Sequence, residues 1–235
     1  MLKRLLCVIS VLIILPVCAG VFEDAIVKSD NVFLYLYMKN CDYCVKFNPN
    51  YDKDWGLYTD VNPNQIENIL LKHSDIKAVF VTSPTYEGIF SNIKEISIIC
   101  KKHNAVLVVD EAHGALLNFG NFKEQQAINC GADISIQSLH KTAGAPNPTA
   151  LLHIGPCSNI TQQTVQKALN TINTTSPSYP LLASIEACVK YLNSDKGEKH
   201  VNKIIENADY FATSLDNSYE IFSKNNDKKK IGCQI

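Results

Sequence analysis

Two short segments, Val108-Val-Asp110-Glu-Ala112-His113 and Gln137-Ser138-Leu-His140-Lys141-Thr142, constrain this chain more than anything else in it. The first closes an apolar run, Ala105 to Val109, that reads as a buried strand and delivers a carboxylate at its carboxyl end. The second closes another apolar alternation, Ala132 to Ile136, and delivers a lysine with a hydroxyl three residues before it. Around them strands and helices alternate. Strands are expected over 77–82, 105–109, 133–137 and 149–154. Helices are expected from about Asn62, whose Pro63 and Glu67 suit a first turn, and over 93–103, 122–130, 161–169, 181–192 and 200–215. Alternation at this spacing predicts an α/β fold, an open and mostly parallel sheet flanked by helices, with ligands bound at its carboxyl edge.

An acid and a lysine at the carboxyl ends of neighbouring strands are the pair that pyridoxal phosphate chemistry requires. The lysine forms the Schiff base, and the acid keeps the pyridinium nitrogen protonated so that the ring draws electrons from the substrate. Lys141 and Asp110 are the candidates, and burial is expected to hold Lys141 partly neutral when it is free.

From Asp60 to about Val189 the chain resembles the Orn/Lys/Arg decarboxylase class-I family of pyridoxal-phosphate enzymes. Five pieces carry the resemblance: Ala78-Val-Phe-Val-Thr-Ser-Pro84-Thr85-Tyr86-Glu87-Gly88, Val109-Asp110-Glu-Ala112-His113-Gly114, Gly131-Ala-Asp-Ile-Ser-Ile-Gln-Ser138-Leu-His140-Lys141-Thr142, Thr149-Ala-Leu-Leu-His153-Ile, and Thr174-Thr175-Ser176-Pro177-Ser178-Tyr179. The resemblance implies part of the large domain of the aminotransferase fold type I, with pyridoxal 5'-phosphate as cofactor, a basic amino acid (lysine, ornithine or arginine) as substrate, and a homodimer. It implies that Ala112 lies against one ring face, that Ser138 and His140 contact the phosphate or its surroundings, and that His113 lies near the ring oxygen or the substrate carboxylate. Thr174 and Thr175 would reach a partner subunit's phosphate. Thr85 and Tyr86 would line the cleft or form a turn with Pro84 and Gly88. The family's phosphate-binding Gly-Ser/Thr loop and its ring-stacking aromatic or histidine have no counterpart between Val21 and Asp54.

Residues 1–20, with Lys3 and Arg4 before an apolar stretch and small residues at the exit, are expected to be a signal peptide and the chain's sole link to a membrane. Residues 21–53 resemble the opening of a thioredoxin-like domain: the run Asn31 to Met38 suits a strand and leads into Cys41-Asp-Tyr-Cys44. The decarboxylase part is expected over 54–222 and a polar tail over 223–235. A leader points to secretion, whereas the family points to the cytoplasm. Three rivals follow: a secreted thiol–disulfide protein using Cys41 and Cys44, a non-catalytic remnant of the decarboxylase fold, and a nucleotide hydrolase reading Asp110-Glu-Ala-His113 as a DExH box. The last needs a Gly-x-x-x-x-Gly-Lys-Ser/Thr loop, which the sequence lacks. A net charge of −1 disfavours nucleic acid as a partner. Cys100, Cys130 and Cys188 sit in apolar runs and read as small core residues, and no spacing suggests a metal site.

Overall fold

The computed structural model describes residues 60–74, 76–172 and 176–215, and the backbone of short strands at 32–35, 51–52 and 57–58; the side chains at 121, 171 and 172 are outside the description. The strands are β1 (Val32–Tyr35), β2 (Tyr51–Asp52), β3 (Leu57–Tyr58), β4 (Ile76–Thr82), β5 (Val106–Asp110), β6 (Ile134–Ser138) and β7 (Ala150–Ile154). The helices are α1 (Pro63–Lys72), α2 (Ile93–Lys102), α3 (Leu139–Thr142), α4 (Gln162–Ile172), α5 (Tyr179–Leu192) and α6 (Asp195–Ser214), with a 3₁₀ helix at Gly120–Gln125.

Five strands make one sheet in the order β1-β4-β5-β6-β7, parallel throughout except that β7 runs antiparallel to β6. β2 and β3 pair separately. The mostly parallel sheet expected from the alternation is therefore present. β1 comes from the segment that resembles a thioredoxin-like opening, and it forms the edge of this sheet, in register with β4. The leader, Cys41, Cys44, Thr174, Thr175 and the tail lie outside the described residues.

Side-chain alternation explains the layers. Leu107 and Val109 on β5, with Val79 and Val81 on β4, face Ile66, Leu70, Ile96, Ile99 and Cys100 of α1 and α2, all under a tenth exposed. A second cluster packs Ala115, Leu139 and Leu151 against Ile185, Cys188, Leu192 and Val201 of α5 and α6. A third sets Val165 and Leu169 of α4 on Ile134, Leu152 and Ile154. Cys100 and Cys188 are buried and Cys130 is half-buried against the first cluster, as small core residues. Two helix starts follow their sequence signals. Asn62 accepts from Asn64 N–H ahead of Pro63, and Asn92 Oδ1 accepts from Glu95 N–H while its Nδ2 donates to the Glu95 carboxylate.

Two expected helices differ from the structure. The segment 122–130 is a 3₁₀ turn followed by irregular turns, because Gly120 adopts φ +72 and the chain then bends to bring Ala127 and Gln126 inside. The last helix begins at Asp195 and not near His200. Ser194 caps it by accepting from Gly197 N–H at 3.2 Å. Gly197 is needed there because a Cβ would stand 2.1 Å from the Tyr191 carbonyl oxygen.

Candidate active site

The carboxyl ends of β4, β5 and β6 and the amino end of the antiparallel β7 are joined in series by backbone hydrogen bonds. Ser83 N–H donates to Asp110 O (3.0 Å), Glu111 N–H to Ile136 O (2.9 Å), Ser138 N–H to Ala112 O (3.4 Å) and Leu139 N–H to Thr149 O (3.0 Å). This places the Asp110–Gly114 turn, the Ser138–Thr142 segment and the loop after β4 on one edge of the sheet. It is the edge where an α/β sheet binds ligands, because its loops are free to carry polar side chains.

Asp110 ends β5, and its Oδ1 accepts from Ala112 N–H at 3.0 Å. Burial pushes its pKa above the usual carboxylate value, while the Ala112 N–H and the charge of Lys141 act the other way. A carboxylate in this position is stabilised by a cation at its free oxygen, and Lys141 is the cation that the chain itself brings near. Lys141 follows β6 in the single turn of α3, and its Nζ lies 3.2 Å from His113 Nε2. An ammonium can only donate, so in that pairing Nε2 accepts and the ring carries its proton on Nδ1. Burial lowers the His113 pKa and the Lys141 charge adds to this, with Glu87 opposing. The neutral imidazole that the contact with Lys141 requires is thus the form its surroundings favour.

Lys141 is exposed, so the burial expected around it is not supplied by the described residues. The reason is local: α3 is only four residues long and follows directly on the carboxyl end of β6, with Leu139 alone of its residues buried in the core.

The structure brings Asp110, Ala112, His113, Ser138 and Lys141 together. His140 is held to β7, its Nδ1 2.9 Å from Thr149 O and 3.3 Å from Thr149 N. Ser138 stands at the N-cap of α3 without making a capping bond, which leaves its hydroxyl available to a ligand. The loop after β4 divides its two candidates. Thr85 is 2% exposed, with Oγ1 accepting from Ile89 N–H, so it forms the turn. Tyr86 is 66% exposed and sets its ring edge-on to His113 with centroids 5.4 Å apart, so it reaches the site.

Three residues that sequence reasoning did not single out for chemistry lie directly behind this edge. Glu111 is 1% exposed, and its Oε1 accepts from Ala127 N–H (2.7 Å) and its Oε2 from Gln137 Nε2 (2.8 Å). Gln137 also donates to Gly114 O (3.2 Å), and its Oε1 accepts from His153 Nε2 (3.0 Å). Burial raises the Glu111 pKa to about 7, against the Ala127 N–H, Gln137 and Ser135. The Ser135 hydroxyl lies near enough to favour the charged form, although its oxygen has no partner with hydrogen-bond geometry. The only signal in the sequence was position, since each of the three is next to or across from a motif residue. Among the described residues no group of three or more histidine, cysteine or acidic side chains could hold a metal, and no helix is long and apolar enough to cross a membrane.

Comparison with known proteins matches residues 25–232 to the family described as Orn/Lys/Arg decarboxylase, major domain. The match starts inside the segment that resembles a thioredoxin-like opening. An arginine decarboxylase of Halalkalibacterium halodurans is 32% identical over 165 residues, 70% of this chain and 33% of the relative. The chain spans about a third of the length of the curated relatives it matches most strongly. Among solved structures, Escherichia coli constitutive lysine decarboxylase superposes with a TM-score of 0.61 at 19% identity, over 83% of this chain and 31% of that one. Mouse CSAD gives a TM-score of 0.59 at 16% identity, over 83% of this chain and 46% of that one. At such identities these two likenesses show the fold, an α/β sheet flanked by helices.

Proposed function

The chain belongs to the Orn/Lys/Arg decarboxylase family, and from that premise we propose that it carries the pyridoxal-phosphate site of a basic amino-acid decarboxylase, with Lys141 as the attachment lysine. The observation that carries this is the placement of Lys141 and Asp110 at the carboxyl ends of adjacent parallel strands, close enough for the lysine charge to act on the buried acid. The donor set fits the cofactor. Asp110 Oδ1 is taken by the Ala112 N–H, and burial of the carboxyl group favours a positively charged N–H beside it. Ala112 presents only a methyl group beside it, which suits a flat ring.

In this reading Asp110 holds the pyridinium nitrogen in its protonated form and Ala112 supports one ring face. Ser138 and the outer nitrogen of His140 hold the phosphate end, with Thr174 and Thr175 of a partner subunit as further contacts. Bound there, pyridoxal phosphate supplies the electron sink that accepts the pair left when an amino acid loses its α-carboxylate. His113, whose surroundings favour its neutral form, accepts a hydrogen bond from Lys141 Nζ at 3.2 Å and orients the lysine at the sheet edge. The substrate class, a basic amino acid, rests on the relatives. The rival thiol–disulfide reading rests on Cys41 and Cys44 alone, and the strand before them is an edge of this sheet.

Borohydride reduction after addition of pyridoxal phosphate, followed by peptide mapping, tests the assignment. A pyridoxyl adduct confined to Lys141 and absent from Lys141→Ala is the expected result. Labelling scattered over surface lysines, unchanged in the variant, would sink it.

A further inference from the structure

Glu111 has no part in the chemistry just described, yet it is a fully enclosed acid one residue past Asp110. Its two oxygens differ in kind. Oε1 meets a backbone N–H, that of Ala127, which cannot turn away. Oε2 meets the side-chain amide of Gln137, which can. Both hydrogens of that amide are committed, one to Glu111 Oε2 and one to Gly114 O, and its oxygen takes the Nε2–H of His153. Gly114 in turn closes the turn that holds Ala112 and His113, its N–H donating to Glu111 O at 2.8 Å. The space is tight: a Cβ on Gly114 would stand 2.5 Å from Glu111 Cγ.

We infer that Glu111, Gln137 and His153 form a hydrogen-bond relay that positions the Asp110–Gly114 turn according to whether Glu111 holds a proton. The inference deepens the cofactor-site reading and rests on it only for the purpose of the turn. A proton arriving at Glu111 goes to Oε2, because Oε1 faces a fixed donor. Oε2–H then opposes the Gln137 N–H, and the amide turns over to present its oxygen. That oxygen now faces Gly114 O, so the bond that held the Gly114 carbonyl is lost. The amide hydrogens now point at His153, which gives up its Nε2 proton and takes one on Nδ1, staying neutral throughout. Burial lowers the His153 pKa below its ordinary value, which favours the uncharged ring where Glu111 changes state.

The titratable neighbour of Glu111 is the Cys130 thiol, held up first by burial and then by the Glu111 charge, with Lys94 opposing. No charged group among the described residues acts on Glu111 itself. Glu111 and Gln137 are therefore positioning residues for Asp110 and His113.

The test follows ring nitrogens and backbone amides by NMR on the ¹⁵N-labelled full chain without cofactor, from about pH 6 to about pH 8.5. His153 is expected to be the Nε2–H tautomer at the high end and the Nδ1–H tautomer at the low end. The Gly114 and Ala112 amides should shift with the same midpoint. Glu111→Gln should abolish all three steps, and Gln137→Met should abolish the His153 and Gly114 steps while leaving the acid in place. An unchanging His153 tautomer in the wild-type chain, or a His153 or Gly114 step that persists in either variant, would overturn the relay. Because no cofactor is added, this outcome is independent of whether Lys141 forms a pyridoxyl adduct.

Discussion

Glu111 is a buried acid with no cation acting on it among the described residues, so its ionisation should cost stability, and the cost can be sized. Its ordinary value is 4.5 and its folded value is about 7. For an acid raised on folding, the stabilising contribution is fully present below the unfolded value and is lost as pH rises through the folded one. With about 1.4 kcal/mol per pKa unit, this group alone should remove ~2.5 kcal/mol of stability between about pH 5 and about pH 8. Other groups titrate in the same interval. Asp110 is raised and acts in the same direction, whereas His113 and His153 are lowered and reduce stability on the acid side of their ordinary value. The Glu111→Gln variant isolates the one term. Its amide mismatches one of the two donors at a constant cost of roughly 1–3 kcal/mol, which drops out of any comparison across pH. Urea unfolding of both proteins at several pH values is the assay. The variant should be the less stable protein near pH 5 and should gain on the wild type by ~2.5 kcal/mol by about pH 8, a relative midpoint shift of ~1 M. Two curves that stay parallel across the whole range would refute a buried acid titrating near neutrality.

Two further outcomes follow from the packing. Ala112→Leu adds bulk beside Asp110 without touching the core, so pyridoxyl labelling of Lys141 should fall at least tenfold while the thermal midpoint stays within a few degrees; labelling at the wild-type level would deny Ala112 its place against the ring. Gly197→Ala forces a Cβ to within 2.1 Å of the Tyr191 carbonyl, which should cost about 1–3 kcal/mol in denaturant unfolding and loosen the corner between α5 and α6; an unchanged unfolding curve would contradict that packing.

The parts of the fold legible in the sequence are those whose signal is local. The strands that end in Asp110 and Ser138 are short apolar runs, and the helices at 63 and 93 carry their own caps. The motif residues Asp110 and Lys141 were legible for the same reason, since a family pattern reads along the chain. The pairing of Glu111 with Gln137 and His153 depends on cross-strand register: Gln137 stands opposite Leu151, and His153 opposite Ser135, on an antiparallel neighbour whose direction no apolar pattern encodes. Each of the three sits among more conspicuous residues, so the buried network stayed hidden until the strands were placed. The expected start near His200 missed the first turn of the last helix, where Gly197 permits a close backbone approach to Tyr191.

The relative position of Asp110 and Lys141 is set mainly by main-chain bonds, and this separates the fold from the chemistry. Ser83, Glu111, Ser138 and Leu139 donate backbone N–H groups across the strand ends whatever their side chains are. Asp110→Asn tests the separation. Asparagine keeps an oxygen to accept from Ala112 N–H and keeps the backbone oxygen that Ser83 reaches, so the turn should stay where it is. The native acid has its pKa raised by burial, so its ionised form is disfavoured in the folded state and its contribution falls as pH rises through the folded value. Removing the charge should therefore leave the protein as stable as the wild type near neutral pH, or more so. The cofactor, in contrast, loses the group that keeps its nitrogen protonated. Thermal melting beside pyridoxal-phosphate retention on a desalting column reads both effects at once: unchanged or higher melting with weakened retention is expected. A variant that melts well below the wild type would mean that the Asp110 carboxylate holds the sheet edge together, and a variant that retains the cofactor equally well would remove Asp110 from the site.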